Sequence, residues 1–219
     1  VSNKLFNLPV ADNPDFVHVG PDWSPDGEHI VFSRTKAQKK FNDVMKNKAF
    51  LKADRLERIY DLNQKYRMQY DLYTIPFNNG QGGIPKPLKG GGGNGKSNYW
   101  PRYSPDGKWI VFTQSDNAMM NQPNSELYIV PSKGGKARRM NCSRAYHNSW
   151  HSWSPNSRWI VFSSKVNTAF TQLFIAHIDE NGNDSQPVLL ARFNSITLAS
   201  VMPEFANIKP GEFEKVIIK

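Results

Sequence analysis

Polar and aromatic residues recur at fixed positions ahead of a ten-residue sequence that appears three times, beginning at Trp23, Tyr103 and Trp153. A degenerate fourth copy begins at Val201–Phe205 and is predicted to end with a strand at Lys215–Lys219. The position five residues earlier holds His18, Asn98, Asn148 and Ser200. The position three residues earlier holds Gly20, Trp100, Trp150 and Met202. The residue immediately before the repeated aromatic residue is Asp22, Arg102, Ser152 or Glu204. Hydrogen-bonding groups beside flat rings suit the binding of a sugar, a peptide or a protein loop.

We therefore predict a binding site with nine members, which are His18, Asp22, Asn98, Trp100, Arg102, Asn148, Trp150, His151 and Glu204. The alternative is that these groups only satisfy backbone atoms and waters. Catalysis is not expected, because there is no Gly-x-Ser-x-Gly elbow and no nucleophile, base and orienting group in a recognisable set. Asp22 and Glu204 are the only visible carboxylate pair for sugar or small-molecule chemistry.

No metal or cofactor is predicted. His147 and His151 are four residues apart, which does not place them on one face of an extended segment. Residues 179–184 are rich in oxygen ligands but lack the spacing of a calcium loop. Residues 90–97 spell G-x-x-x-x-G-K-S, yet they lead into a strand rather than the helix that phosphate binding needs. The single cysteine, Cys142, excludes an internal disulfide and a cysteine-based zinc cluster.

Each copy of the repeat predicts a tight hairpin followed by a buried strand. The copies are Trp23–Phe32, Tyr103–Phe112 and Trp153–Phe162. In the Ser-Pro-Asp-Gly turn, Pro presets φ, Asp caps the turn and Gly accepts a positive φ. The Ile-Val-Phe run that follows is typical of a strand. The third copy has Ser157 in place of Gly, so we expect its turn to differ in shape, since serine at positive φ costs about 1 kcal/mol.

Two further strands follow each hairpin. The third strands are predicted at Asp71–Pro76, Glu126–Pro131 and Gln172–His177, and the fourth at Lys86–Lys89, Ala137–Met140 and Pro187–Ala191. Four antiparallel strands make one blade of a β-propeller, so the fold class is all-β. The predicted blades cover residues 17–98, 99–148 and 149–198, with a partial blade at 199–219. Leu5–Val10 is expected to be the outer strand of a preceding blade.

Three full blades are fewer than the four to eight of most closed propellers, so we expect part of a larger propeller. A four-bladed ring closed by both termini and a dimer that forms a six-bladed ring are alternatives. Unpaired blade edges favour such self-association.

The net charge of +9 is concentrated in residues 36–67, which hold ten basic and four acidic residues. Apolar residues recur there at helical spacing, which predicts an amphipathic helix inserted into the first blade. Nucleic acid is not expected as a partner, because acids are mixed with the basic residues and stacking aromatics are lacking. The sequence has no apolar run of the length of a membrane span.

The repeated W-S-P-D-G-x-x-I-x-F pattern, followed by L-Y-x-x-P and G-G, resembles the TolB-like propeller repeat of bacterial periplasmic proteins. Segments such as Asn94–Asn98, Asn148–Trp153 and His177–Asp184 are most similar to a subgroup from Bacteroidetes and related bacteria. The resemblance implies six blades, export to the periplasm or beyond, and binding rather than catalysis. It departs at Ile196–Met202, which is apolar where the family usually has a basic stretch.

The expected function is that of a noncatalytic, exported binding or scaffold module for a protein, peptide or glycan. The alternative is a propeller domain that gates or presents substrate to a hydrolase outside this chain.

Overall fold

A computed structural model of the chain describes residues 7–38, 67–117, 122–208 and 212. These residues form three four-stranded antiparallel sheets, in which neighbouring strands follow one another along the chain. Helical structure in the described part is limited to two short 3-10 turns, at Asn78–Gly80 and Ala191–Phe193. The prediction of an all-β fold built from four-stranded antiparallel blades is therefore confirmed.

Blade 1 consists of β1 Phe16–Trp23, β2 His29–Lys36, β3 Asp71–Pro76 and β4 Lys86–Pro87. Blade 2 consists of β5 Ser97–Tyr103, β6 Trp109–Ser115, β7 Glu126–Pro131 and β8 Arg138–Arg139. Blade 3 consists of β9 Asn148–Trp153, β10 Trp159–Ser164, β11 Gln172–His177 and β12 Val188–Leu189. The third strand of every blade has the predicted bounds, whereas each fourth strand is only two residues long.

The core lies between the blades, because alternate side chains of each strand face opposite neighbours. Val31 and Leu72 of blade 1 pack with Ile110 and Phe112 of blade 2. On the other face of blade 2, a second cluster joins it to blade 3; its members include Val111, Leu127, Ile129, Ile160, Phe162 and Phe174. The first strands β1, β5 and β9 lie next to one another and form the inner edge of the assembly.

The three hairpin turns share one set of hydrogen bonds. In the first, the Ser24 hydroxyl donates to a carboxylate oxygen of Asp26 and accepts from the backbone N–H of His29. The same Asp26 oxygen accepts from the N–H of Glu28, 3.0 Å away. Ser104 with Asp106, and Ser154 with Asn156, repeat the arrangement in blades 2 and 3.

The expectation that the third turn differs in shape was wrong. Ser157 has φ 59°, close to the 74° of Gly27 and the 71° of Gly107, and its N–H donates to Ser154 as in the other copies. The Ser157 hydroxyl accepts a hydrogen bond of 2.9 Å from the backbone N–H of Asp106. This contact joins the turns of blades 2 and 3 and offsets the strain of a serine at positive φ.

The predictions for the ends and the insertion have mixed outcomes. Residues 7–10 form no strand, and the rest of the predicted outer strand Leu5–Val10 lies outside the described residues, as does a final strand at Lys215–Lys219. Lys36 ends β2 instead of beginning a helix, and residues 39–66 of the predicted insertion are outside the described part. β5 and β9 begin one or two residues before the predicted starts of the second and third blades.

Replacing Ser157 separates the stabilising hydrogen bond to Asp106 from the backbone strain at this turn. Ser157→Ala removes the contact to Asp106 and keeps the strain, so we expect the free energy of unfolding to fall by about 1 kcal/mol. Ser157→Gly loses the same contact but relieves the strain, and is expected to stay within about 1 kcal/mol of the wild type. Urea unfolding measures both variants.

Gly107→Ala is the matched control. It places a methyl group at the equivalent φ of blade 2, where the nearest atom would be 3.9 Å away, so it reports the strain without a clash. A Ser157→Ala variant as stable as the wild type would contradict a stabilising contact between the turns.

Candidate functional site

Every inner strand is interrupted by a β-bulge at the repeat position that holds a tryptophan in two copies. The strand register shifts between Val19 and Asp22 in blade 1, and at the equivalent residues of blades 2 and 3. A left-handed residue lies inside each bulge: Gly20 has φ 58°, Trp100 54° and Trp150 49°. Bulges of this kind bend a strand and re-aim the side chains that follow.

The first copy has glycine at this position for a steric reason. A Cβ atom at Gly20 would lie 3.1 Å from Cε3 of Trp100, so the indole of blade 2 occupies the space above the backbone of blade 1. Trp100 is half-buried by this contact. Trp150 is half-buried too, with its ring 5.2 Å from that of His147 in an edge-on arrangement. Each predicted aromatic platform thus keeps only part of its surface open.

The bulges bring together the charged residues just before each repeat. Nη1 of Arg102 lies 3.2 Å from Oδ1 of Asp22, and Nη2 lies 3.5 Å from Oε1 of Glu204. The hydroxyl of Ser152 donates to Oε2 of Glu204 at 2.7 Å. Asp22, Arg102, Glu204 and Ser152 therefore form one continuous chain across the inner edge, which we call the charged chain.

The members of the charged chain differ in exposure and in their electrostatic surroundings. The side chain of Asp22 is 21% exposed, that of Arg102 38% and that of Glu204 63%. Burial raises the pKa of Asp22, against the opposing effects of the Tyr103 N–H and the Arg102 guanidinium. The N–H of Tyr103 donates to Oδ2 of Asp22 at 2.8 Å, so both oxygens of this carboxylate already accept from donors.

Two of the predicted site residues hold loops instead of facing a ligand. Asn98 and Asn148 are fully buried at the start of β5 and β9. The amide nitrogen of Asn148 donates to the carbonyl oxygens of Ser125 and Arg144, at 2.9 and 2.6 Å. The amide nitrogen of Asn98 likewise donates to the carbonyl oxygens of Tyr70 and Lys96 and to the side-chain oxygen of Asn94. A ligand-binding role for either residue stays a prediction, and their burial argues against it.

Of the two predicted histidines, His151 is buried and His18 is half-buried. His151 is 3% exposed, and its Nε2 lies 3.0 Å from the carbonyl oxygen of Val111 in blade 2. Burial, with a smaller effect of the Arg102 charge, lowers the pKa of His151 to about 4. His18 packs edge-on to Phe32 with a ring distance of 5.1 Å, and burial lowers its pKa as well. These histidines pack against the protein interior, so the accessible part of the predicted site consists of the charged chain and the open parts of Trp100 and Trp150.

The fourth member of the charged chain, Ser152, was not among the predicted site residues. Its repeat position, shared with Asp22, Arg102 and Glu204, was the available signal. No group of three or more metal-ligating side chains occurs among the described residues. The described part also holds no helix that is long and apolar enough to cross a membrane.

No protein-family model matches the chain, and no curated protein matches it. Solved structures do. A protein assigned to TolB from Agrobacterium tumefaciens is 19% identical over 81% of this chain and 50% of its own, with a TM-score of 0.47. TolB from Acinetobacter baumannii is 20% identical over 78% of this chain and 32% of its own, with a TM-score of 0.43.

The β-propeller domain of the Trilobed protease from Pyrococcus furiosus is 16% identical over 82% of this chain and 45% of its own, with a TM-score of 0.44. The chain thus spans half or less of the length of these structures. TolB proteins are among the structures similar to this chain, in line with the resemblance of the repeat. The narrower resemblance to sequences from Bacteroidetes stays a prediction.

The buried His151 makes stability depend on pH. Its pKa is lowered in the folded state, so the unfolded chain binds the proton first as the pH falls. Stability is therefore full above about pH 6.5 and is lost between about pH 6.5 and 4, by on the order of 3 kcal/mol for this histidine.

Urea unfolding at several pH values, for the wild type and His151→Gln, measures this effect. The variant is expected to lose less stability than the wild type over that range, whatever its stability at neutral pH. His29→Gln, which removes an exposed histidine, is the control. Parallel pH profiles of the wild type and His151→Gln would contradict the prediction.

Proposed function

We propose that this chain is a noncatalytic binding or scaffold module, which engages a protein, peptide or glycan through the face of the blades that carries the charged chain. The observation that carries this proposal is the half-exposed guanidinium of Arg102, which lies between carboxylates from two different repeats. It presents donors and acceptors side by side at the inner edge. Such a set recognises a ligand that also offers both, as a peptide backbone or a sugar does.

The carboxylates favour binding over catalysis. The guanidinium between the two carboxylates stabilises their ionised forms, which opposes a role as a general acid. Both oxygens of Asp22 already accept hydrogen bonds, from Arg102 and from the N–H of Tyr103. Glu204 accepts from Ser152 and faces the same guanidinium. Asp22 and Glu204 thus both contact the guanidinium of Arg102, and this supports the proposal of a noncatalytic role.

Export to the periplasm or beyond is part of the proposal. It is supported by the resemblance of the repeat to TolB-like sequences. A gate or platform for a separate hydrolase remains the alternative, and it predicts a peptidase partner on the same face.

Replacing Arg102 tests the proposed face. Ligands are first selected for the wild type from a random peptide library and a glycan array. Arg102→Gln keeps hydrogen-bonding capacity but removes the charge and the fork of donors. We expect the affinity of the selected ligands to fall by about tenfold or more.

Arg158→Gln is the matched control, since Arg158 is an exposed arginine on the turn of blade 3 outside the charged chain. It is expected to leave the affinity unchanged. Equal binding by Arg102→Gln and the wild type would refute the assignment of this face. Urea unfolding of each variant separates lost binding from lost structure.

Self-association is a second part of the proposal. The segment 193–202 follows blade 3 and lies against it, where the N–H of Ser200 donates to the carbonyl oxygen of Thr171 at 2.8 Å. Its apolar side chains are largely exposed: Phe193, Ile196, Leu198, Val201 and Met202. Apolar patches of this kind are typical of association surfaces, and the next blade of a propeller packs in this direction.

Ile196→Glu is expected to shift the chain from dimer to monomer in sedimentation velocity, because it places a charge in the apolar segment. Ile84→Glu is the matched control: Ile196 is 76% exposed and Ile84 is 74% exposed, on a loop of blade 1. A wild type that stays monomeric at about 0.1 mM, or an equal effect of the two substitutions, would contradict this part of the proposal.

A further inference from the structure

A cleft of about 750 Å³ separates blades 1 and 2 on the side of the hairpin turns. Its walls are the two turns, with Pro25 and Asp26 on one side and Pro105 and Asp106 on the other. Leu88 and the ring of Tyr103 contribute further apolar surface. The volume is within the range of small-molecule sites. None of the residues of the charged chain lines this cleft.

The cleft is open because the first repeat departs from the other two. His29 lines it and occupies the repeat position of Trp109 and Trp159. In blade 2, Trp109 packs against the core shared with blade 3, and its ring lies within 3 Å of the position that a Cβ at Gly182 would take. The equivalent space between blades 2 and 3 is thus occupied by an indole. The smaller His29 leaves it free between blades 1 and 2.

Three lysines surround the cleft without acidic partners. Lys86, Lys89 and Lys133 line it and are exposed, and none of them forms an ion pair with any residue in the described part of the chain. The N–H of Gly135 donates to the carbonyl oxygen of Lys89 at 2.9 Å, which holds the loop of Lys133 against Lys89. Like charges gathered in this way repel one another, and a bound anion would relieve the repulsion.

The two aspartates of the cleft are bonded to groups of the hairpin turns rather than to these three lysines. Oδ1 of Asp26 accepts from the hydroxyl of Ser24 and the N–H of Glu28, and these bonds lower the pKa of Asp26. Asp106 makes the same bonds in its own turn and lies 3.7 Å from Nζ of Lys108. Both carboxylates are held by the hairpins, and the three lysines outnumber these two acids in the lining of the cleft.

We propose that this cleft binds a small polyanionic ligand, whose carboxylate or phosphate groups contact Lys86, Lys89 and Lys133. Lysine ammonium groups bind either kind of oxyanion as point charges. The less polar part of the ligand packs between Leu88, Tyr103 and the prolines of the turns. This site is independent of the function proposed for the charged chain, because it uses other residues.

Isothermal titration of the 219-residue chain with citrate and with pyrophosphate tests the proposal. We expect dissociation constants on the order of 0.1–1 mM at low salt, weakening as the ionic strength rises. Tighter binding of citrate identifies carboxylates as the preferred groups, and tighter binding of pyrophosphate identifies phosphates. Both results support the site. Absence of binding by either probe at about 10 mM would overturn it.

Two variants locate the bound anion. His29→Trp introduces the residue of the other repeats and fills the cleft without changing the lysines, so affinity is expected to fall about tenfold or more. Replacing Lys86, Lys89 and Lys133 together with Gln is expected to have the same effect. If His29→Trp fails to fold, the lysine variant decides the question.

The matched control replaces three exposed arginines that lie outside the cleft with Gln: Arg144, Arg158 and Arg192. It removes the same total charge and is expected to change the affinity less than about twofold. An equal loss in the control would show general attraction to a basic protein and would overturn the proposal. Wild-type affinity in His29→Trp would overturn it too, because the lysines would then bind without the cleft.

Discussion

The left-handed residue in each inner strand is the constraint on which the rest of the arrangement depends. A strand that runs straight through this position would continue its alternation, and the residue before each hairpin would point to the other face. The bulge at Gly20, Trp100 and Trp150 resets the alternation once per blade. Met202 has φ 51°, so the fourth copy keeps the same conformation although no strand is assigned there. Glu204 can therefore reach Arg102 from a repeat that is otherwise degenerate.

Much of the fold could be predicted from the sequence, because the features that specify it are local. The Ser-Pro-Asp-Gly turn carries its own hydrogen bonds, and the strands beside it are β-branched and aromatic. The bulge was harder to foresee, since tryptophan rarely takes a positive φ. Its signal was the alignment of Gly20 with Trp100, because a glycine at a repeated position often marks a conformation that the other copies adopt under strain. The prediction that the turn at Ser157 differs in shape was wrong because the contact to Asp106 comes from a neighbouring blade. The local sequence gives no sign of that contact.

The candidate site was less predictable than the fold, because its contacts join residues that are 52 to 102 positions apart in the chain. Position in the repeat identified Asp22, Arg102 and Glu204 but gave no indication of which of them pair. A second repeat position added Asn98 and Asn148 to the predicted site, although their amides bond to carbonyl oxygens of the preceding blade and of the loop before their own strand. A shared repeat position thus reports equivalent geometry. It does not distinguish residues that face the inner edge from residues that hold the backbone.

The charged chain and the cleft differ in charge balance, and this difference separates the ligands that each can take. At the inner edge, Arg102 is already compensated by Asp22 and Glu204, so an anion gains little there and must displace existing pairs. A neutral ligand with both donors and acceptors can instead add to the chain without breaking it. In the cleft, the three lysines form no ion pair with any described residue and outnumber the two aspartates of the lining, so an anion gains more there. A peptide backbone or sugar at the first site and a polyanion at the second are therefore compatible on one molecule, and binding at one does not require binding at the other.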